Sequence, residues 1–264
     1  MIPENTPMLN RIALSTTASS LKEEARALAK ALHLPFEQGP ITADSPYAYF
    51  LLLTPEYLGL LKTKDKKALP FYIDFASAKL TYRRQKASLR KEMLARAMGI
   101  HPKENPVIVD ATAGLGRDSF ILASLGYAIT MIEQSPILAA LLKDALDRGK
   151  ANAAIAPIVG RIKLICANSC DWLNATPEAD RPDIITLDPM FPERKKSASV
   201  KKEMLILQEL LGKCEDEDTL LQTALACAKR RVVVKRPKTA ASIAKRAPNF
   251  SLTGKTSRFD IYLK

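Results

Sequence analysis

The feature of this chain that most constrains its fold is a short apolar run that ends in an acid and a glycine-containing turn. Residues 107–116 read Val-Ile-Val-Asp-Ala-Thr-Ala-Gly-Leu-Gly. The β-branched residues at its start favour a buried strand over a helix, and the two glycines mark a turn directly after it. We therefore predict a parallel strand that opens, at Gly114 and Gly116, beside a bound ligand.

Strand and helix patterns alternate after this run. Further strands are predicted at 128–132, 162–166, 184–187 and 231–235. Helices are predicted at 117–125, from Pro136 with Ser135 as N-cap and Gly149 as C′, at 199–211 and at 217–229. Such alternation requires an α/β fold with a parallel sheet covered by helices on both faces. The last segment, 250–263, breaks the alternation and predicts an antiparallel hairpin.

The first hundred residues show a different, mixed pattern. A helix is predicted from the capping-box spacing at Ser20 to about His33, strands at 47–53 and 71–75, and a helix at 85–98 that Gly99 ends. Prolines cluster just after this helix. We therefore predict a small N-terminal α+β domain over residues 1–100 and a larger domain over 101–264.

The balance of charges favours a polyanionic partner. Lysine and arginine number 40 against 28 aspartates and glutamates, which gives a net charge of +12. Nucleic acid suits such a surface, although a solvated basic surface without a partner stays open. The four cysteines include no C-x-x-C pair and only two histidines occur, so no metal site is expected. Since no signal peptide or long apolar segment is found, we expect a cytoplasmic protein that does not bind membranes.

The glycine turn departs from the dinucleotide fingerprint. That fingerprint needs a third glycine, where this chain has Ser119. S-adenosylmethionine (SAM) has no pyrophosphate, so its site can do without that glycine. Glu133 ends the next predicted strand, about 20 residues on, where an acid accepts hydrogen bonds from ribose hydroxyls. Asp110, Glu133 and Asp188 lie at the carboxyl ends of three of the predicted strands, which favours a ligand crevice over an ordinary strand-to-helix turn.

The loop after the strand at 184–187 carries the predicted chemistry. Asp188-Pro189-Met190-Phe191 is similar to the (Asp/Asn/Ser)-Pro-Pro-(Tyr/Phe) loop of methyltransferases that modify exocyclic amino nitrogens, with Met190 as a departure. Asp188 and the Pro189 carbonyl can accept the hydrogens of an amine. Phe191 can stack on the target base, or it can be a core aromatic.

Five motifs together indicate a family. They are Asp110-Ala-Thr-Ala-Gly-Leu-Gly-Arg-Asp118, Asp188-Pro-Met-Phe-Pro192, Val200-Lys-Lys-Glu-Met204, Arg231-Val-Val-Val-Lys-Arg-Pro237 and Arg258-Phe-Asp-Ile-Tyr262. With them the chain closely resembles the bacterial small-subunit ribosomal RNA guanine-N2 methyltransferase J family. The resemblance implies a class I, Rossmann-like methyltransferase fold with a seven-stranded, mostly parallel sheet, and SAM as methyl donor.

The resemblance also implies which residues surround SAM. They are Gly114, Arg117, Asp118, Glu133, Gln134, Asn168, Ser169 and Asp188. Asn168 stands where the family often has serine, so Asp171 is an alternative contact to the adenine amine. The implied product is N2-methylguanosine in 16S ribosomal RNA, made without a metal or a covalent intermediate.

Basic clusters near the predicted loop are candidates for RNA contacts. Lys195 and Lys196 follow the loop at 188–191, Lys235 and Arg236 lie at the end of the strand predicted at 231–235, and Arg83, Arg84 and Lys86 form a third cluster. We predict that Lys195, Lys196, Lys235 and Arg236 bind phosphates of 16S ribosomal RNA or of the small ribosomal subunit.

Three other functions compete with this hypothesis. One is an amino methyltransferase that acts on adenine, on another RNA or on DNA. Another is a non-catalytic RNA-binding assembly factor with a vestigial cofactor pocket, against which the intact Asp188 and Glu133 count. An NAD-dependent oxidoreductase fits least, because of Ser119 and the lack of a proton-relay histidine.

Overall fold

The computed structural model describes residues 11–64, 69–189 and 216–264. They group by packing into two compact units. The described part of the first comprises residues up to Asp74 and Ala140–Arg148, and the second comprises Phe75–Ala139, 149–189 and 216–264. Residues 75–100 therefore pack with the second unit, and the domain boundary at residue 100 stays a prediction. No helix in the described ranges is long and apolar enough to cross a membrane.

The first unit contains a three-stranded sheet. Its strands are β1 (Ile12–Thr16), β2 (Tyr49–Leu53) and β3 (Leu58–Lys62), in the order β1-β2-β3. The central strand β2 is buried throughout, parallel to β1 and antiparallel to β3. Helix α1 (Lys22–Ala31) contacts β1.

The predictions for this unit are confirmed in part. The helix after Ser20 and the strand at 47–53 are present, but Ser20 lies in a 3₁₀ turn (Ser19–Leu21) rather than capping α1. The predicted strand at 71–75 is wrong, since Phe71 makes only an isolated bridge to Leu60. Strands β1 and β3 were not predicted, because Ala13 and Ser15 in β1 and Gly59 in β3 interrupt the run of large apolar residues that marks β2.

Two short helices replace the single helix predicted at 85–98. They are α2 (Ala78–Lys86) and α3 (Met93–Met98). The chain breaks between them because Ala87 is extended, with φ −68° and ψ 139°. Gly99 ends α3 in the left-handed conformation, φ 58°, as predicted.

A seven-stranded sheet organises the second unit. Its strands are β4 (Ile108–Asp110), β5 (Ile129–Glu133), β6 (Ile162–Cys166), β7 (Ile184–Leu187), β8 (Arg231–Pro237), β9 (Phe250–Thr253) and β10 (Ser257–Leu263). The order is β6-β5-β4-β7-β8-β10-β9. The first five strands are parallel, whereas β10 runs antiparallel to β8 and to β9. The predicted α/β fold with a mostly parallel sheet and a C-terminal antiparallel hairpin is confirmed.

The helices after β4 follow the predicted alternation of strands and helices. They are α4 (Arg117–Ser124), α5 (Pro136–Ala151), α6 (Ala156–Val159), α7 (Ser169–Ala175) and α8 (Glu217–Cys227). Ser135 caps α5 through its side chain, which accepts a hydrogen bond from the Leu138 amide at 3.3 Å. Gly149 lies inside α5 instead of ending it, and a Cβ there would meet Val159 at 2.9 Å, which favours glycine at this position. The helix predicted at 199–211 lies outside the described residues.

The core of this sheet lies between its central strands and two helices. Val109 of β4, Ile185 of β7 and Val232 of β8 are buried together with Leu173 of α7 and Leu221 of α8. Burial on both faces explains why these strands read as continuous apolar runs. The same packing fixes the positions of the strand ends, where the polar residues lie.

Candidate functional site

The carboxyl ends of β4, β5 and β7 form one edge of the sheet. β4 pairs with β5 on one side and with β7 on the other, both in parallel. The chain order therefore reverses at β4, and the loops after these strands meet there. Ligands bind at this kind of topological switch point in open α/β sheets.

The turn after β4 depends on two glycines in the left-handed conformation. Gly114 has φ 55° and Gly116 has φ 66°, and Gly116 is the N-cap of α4. The Ala113 amide donates to the Ile132 carbonyl at 3.0 Å, which ties the turn to β5. The turn thus places main-chain groups, rather than side chains, beside the crevice.

Glu133 is joined directly to this turn. Its Oε2 accepts a hydrogen bond from the Gly114 amide at 3.1 Å, and its Oε1 accepts one from the Ser135 amide at 2.8 Å. The residue is only 5% exposed. Burial, assisted by the charge of Asp110, raises the pKa of Glu133 to about 7 despite the amides that favour the ionised form. A carboxylate has about four acceptor sites, so capacity remains for the hydroxyls of a ribose.

Asp110 stabilises the turn through hydrogen bonds with Ser119 and Thr112. The Ser119 hydroxyl donates to Asp110 Oδ2 at 2.5 Å, and the Thr112 amide donates to Oδ1 at 3.2 Å. Burial raises the pKa of Asp110 to about 6. The serine at the third-glycine position of the fingerprint therefore bonds a strand-end acid, which glycine could not do.

Thr112 connects the predicted catalytic loop to the glycine turn. Its hydroxyl oxygen accepts a hydrogen bond from the Asp188 amide at 2.5 Å. Pro189, directly after Asp188, is buried. The sequence does not predict this contact of Thr112, because it joins residues far apart in the chain.

A chain of ion pairs crosses the site. Lys235 Nζ lies 2.8 Å from Asp188 Oδ2 and 2.8 Å from Asp118 Oδ2. Asp118 also pairs with Arg83 at 2.6 Å, and Arg83 pairs with Glu92 at 2.8 Å. Neither Arg83 nor the bridging position of Lys235 was assigned to the site from sequence.

These ion pairs set the charge states of the site. Burial alone would raise the pKa of Asp118, but Lys235 and Arg83 lower it to about 2. Burial would lower the pKa of Lys235, but the two aspartates raise it above its ordinary value. Desolvation by the surrounding protein raises the pKa of Asp188, and Lys235 opposes this rise. Because 49% of the Asp188 side chain is exposed, solvent weakens both effects.

Two further predicted cofactor residues, Asn168 and Ser169, lie at the beginning of α7. Asn168 caps the helix, its Oδ1 accepting from the Asp171 amide at 2.9 Å. The buried Ser169 hydroxyl donates to the Ala111 carbonyl. Asp171 and Gln134 are exposed, and Arg117 begins α4. All of these residues follow the carboxyl ends of β4, β5 or β6.

The predicted RNA contacts fall in different environments. Lys235 lies in the ion-pair chain, and Arg236 is only 4% exposed. The Arg236 guanidinium pairs with Glu217 at 3.0 Å and donates to the Ala241 carbonyl at 3.0 Å, so its position does not suit the predicted phosphate contact. Phe191, Lys195 and Lys196 lie outside the described residues. Within the ranges that are described, no group of three His, Cys, Asp or Glu could hold a metal ion.

Comparison with known proteins identifies relatives over nearly the whole chain. The family described as putative SAM-dependent methyltransferase matches residues 36–264. A protein from Thioalkalivibrio sulfidiphilus is 47% identical over 253 residues, which cover 96% of this chain and 98% of that protein. A protein from Nitrosococcus oceani is 45% identical and covers 90% of this chain and 93% of its own length. Both are named ribosomal RNA small subunit methyltransferase J.

A solved structure agrees with these relatives. The crystal structure of a SAM-dependent methyltransferase from Neisseria gonorrhoeae superposes with a TM-score of 0.73 at 33% identity. The match covers 96% of this chain and 95% of that one.

Proposed function

We propose a function for this chain from one premise: it belongs to the ribosomal RNA small subunit methyltransferase J family of SAM-dependent methyltransferases. On that premise, it methylates small-subunit ribosomal RNA. More specifically, we propose that the acceptor is the N2 amine of a guanine in 16S ribosomal RNA. The observation that carries the proposal is the position of Asp188 beside the glycine turn: Lys235 holds its carboxylate, and its main-chain amide donates to the Thr112 hydroxyl.

The residues around the turn fit SAM, which supplies a methyl group activated by a sulfonium when bound. Glu133 accepts hydrogen bonds from the ribose hydroxyls. Gly114 has no side chain, so the nucleoside can approach the main chain there closely. The Asp118 oxygens hold Arg83 and Lys235 at 2.6 and 2.8 Å, so Asp118 orders these cations at the rim of the site. We further propose that Arg117, Gln134, Asn168, Ser169 and Asp188 line the remainder, with Asp171 as the alternative contact to the adenine amine.

The chemistry that remains for the protein is to orient a weak nucleophile. The lone pair of the guanine amine is delocalised into the ring, so its hydrogens need acceptors that hold the nitrogen in place. We assign these roles to Asp188 Oδ1 and the Pro189 carbonyl, while Lys235 holds Oδ2. With SAM bound, the nitrogen–methyl bond would form as the sulfur–methyl bond breaks and S-adenosylhomocysteine leaves, and Asp188 would take one amine proton and release it to water. Phe191 is proposed to stack on the extruded guanine.

Nucleoside mass spectrometry tests this proposal. Small subunits from a strain lacking the gene are incubated with the protein and SAM, and their ribosomal RNA is digested. We expect N2-methylguanosine to appear with the parent protein and with the control variant Asp180→Ala, which changes an exposed acid in a 3₁₀ turn. A methylated adenosine would overturn the assignment of guanine as the acceptor. If no methylated nucleoside forms and the protein does not bind SAM, the proposal that it is a methyltransferase is wrong.

A further inference from the structure

A basic segment with an exposed aromatic ring lies beside the site and is not used by the chemistry above. Residues 78–91 contain six cations and no acid: Lys79, Arg83, Arg84, Lys86, Arg90 and Lys91. Arg83 is neutralised by Glu92 and Asp118. Arg84 donates to the Ala154 carbonyl at 2.9 Å, which leaves its charge in place. Lys86, Arg90 and Lys91 are exposed.

Tyr82 is the most exposed aromatic residue of the described chain, at 64%. Lys86 follows one helical turn later, and its Nζ lies 5.9 Å from the centre of the Tyr82 ring. An exposed ring adds little to folding, because its apolar area stays in water. A ring flanked by cations is, however, the combination on which proteins stack unpaired bases.

This surface is connected to the site through the same helix. Helix α2 contacts α4, and Leu80 is its buried residue. Arg83, the residue next to Tyr82, reaches Asp118 of α4, and Asp118 binds the same lysine that holds Asp188. The ion-pair chain therefore fixes α2 relative to the reacting carboxylate.

We propose that Tyr82, Lys86, Arg90 and Lys91, here called the α2 surface, bind the single-stranded RNA that flanks the target nucleotide. Tyr82 stacks on one base and the cations contact neighbouring phosphates. This inference rests on the proposed function and adds to it the place where the substrate strand is held. RNA fits better than an anionic membrane, because α2 exposes a single ring rather than an apolar face.

Binding of a short, fluorescently labelled single-stranded RNA tests the α2 surface. We expect Tyr82→Ala to weaken binding by about 5-fold to 100-fold, the range found for one base–aromatic stack. The variant Lys86→Glu/Arg90→Glu should lower the slope of log affinity against log salt by about 0.7 for each phosphate that is no longer bound. Matched controls are Phe250→Ala, which removes an exposed ring on β9, and Lys163→Glu/Lys255→Glu, which reverses two exposed charges on β6 and in the β9–β10 turn. Both should bind like the parent.

Methylation of small subunits by the same variants separates this inference from the proposed function. With the α2 surface altered, we expect KM for the subunit to rise while kcat and SAM affinity stay near the parent values. Parent-like RNA binding by Tyr82→Ala, equal reductions in the controls, or no binding of the oligonucleotide by the parent would overturn the α2 surface. If the parent forms no N2-methylguanosine, the proposed function fails, whatever the oligonucleotide result.

Discussion

Glu133 and Asp110 are buried acids at neighbouring strand ends, and burial raises both pKa values, to about 7 and about 6. In each case the folded protein holds a proton more tightly than the unfolded chain does. The free energy of unfolding therefore decreases as pH rises from the unfolded pKa, about 4, through the folded value. Such a site favours a ligand that donates hydrogen bonds to the ionised carboxylate, because those bonds offset the cost of burying its negative charge.

SAM affinity should consequently rise with pH. Below about pH 7 Glu133 is protonated and accepts hydrogen bonds from the ribose hydroxyls poorly, so affinity should fall as pH drops. Glu133→Ala should weaken binding by about 1.5 to 3 kcal/mol, and Glu133→Gln should remove most of the pH dependence. Calorimetry across this range measures both effects, with Glu178→Gln, an exposed acid, as control. Parent-like affinity in both Glu133 variants would remove Glu133 from the site.

Lys235 should act as a positioning residue for Asp188. In Lys235→Met the pKa of Asp188 should rise, because the nearest cation is removed, and the pH profile of kcat should shift upward with it. We expect kcat to fall about 10-fold to 100-fold, and Lys235→Arg to restore part of it. Because Lys235 is also one of the two cations paired with Asp118, its removal should lower the free energy of unfolding. Lys238→Met, an exposed lysine after the same strand, is the control. An unchanged pH profile would contradict this role.

At the scale of elements, Gly99 shows how a single position fixes a helix end. It has φ 58°, and a Cβ there would meet the Arg231 guanidinium at 2.2 Å. Gly114 has nearly the same φ, 55°, but the nearest atom to its Cβ would be 3.8 Å away. Comparing the two positions therefore separates backbone strain from steric overlap.

Gly99→Ala should destabilise the protein more than Gly114→Ala does. The left-handed conformation costs alanine about 1 to 2 kcal/mol at either position, and Gly99→Ala must also displace Arg231 from the Ala97 carbonyl. Denaturant unfolding of both variants measures the difference. Equal free energies of unfolding would mean that Arg231 moves aside at no cost. Gly114→Ala should in addition weaken SAM binding, because the Gly114 amide donates to Glu133, the proposed acceptor of the ribose hydroxyls.

The sequence predicts some of these elements better than others, for physical reasons. The central strands β4 and β7 are buried throughout and mostly apolar, so they are readable from the sequence, and so is the spacing between Gly114 and Glu133. The break at Ala87 is not readable, since apolar residues keep helical spacing across it. The contacts of Asp118 with Arg83 and Lys235 join distant residues and leave no local pattern. The burial of Arg236 has a signal in the sequence, since strand alternation places it and Lys235 on opposite sides of β8.

At the scale of the whole molecule, the charge of +12 should make RNA binding strongly dependent on salt. Each phosphate contact should contribute about −0.7 to the slope of log affinity against log salt for single-stranded RNA. Lys195→Glu/Lys196→Glu should weaken RNA binding and leave SAM affinity nearly unchanged. Lys163→Glu/Lys255→Glu changes the net charge equally on β6 and in the β9–β10 turn, and serves as control. An affinity independent of salt would mean that the positive charge serves solubility.

The rate of methyl transfer by Asp188→Ala, with SAM and small-subunit RNA both saturating, tests the central claim most directly. Asp188 holds the reacting amine, so the variant should fold, bind both ligands and form N2-methylguanosine roughly two to three orders of magnitude more slowly than the parent. Nucleoside mass spectrometry over a time course measures this rate. A rate within a few-fold of the parent would show that Asp188 is not catalytic and would contradict the mechanism proposed here.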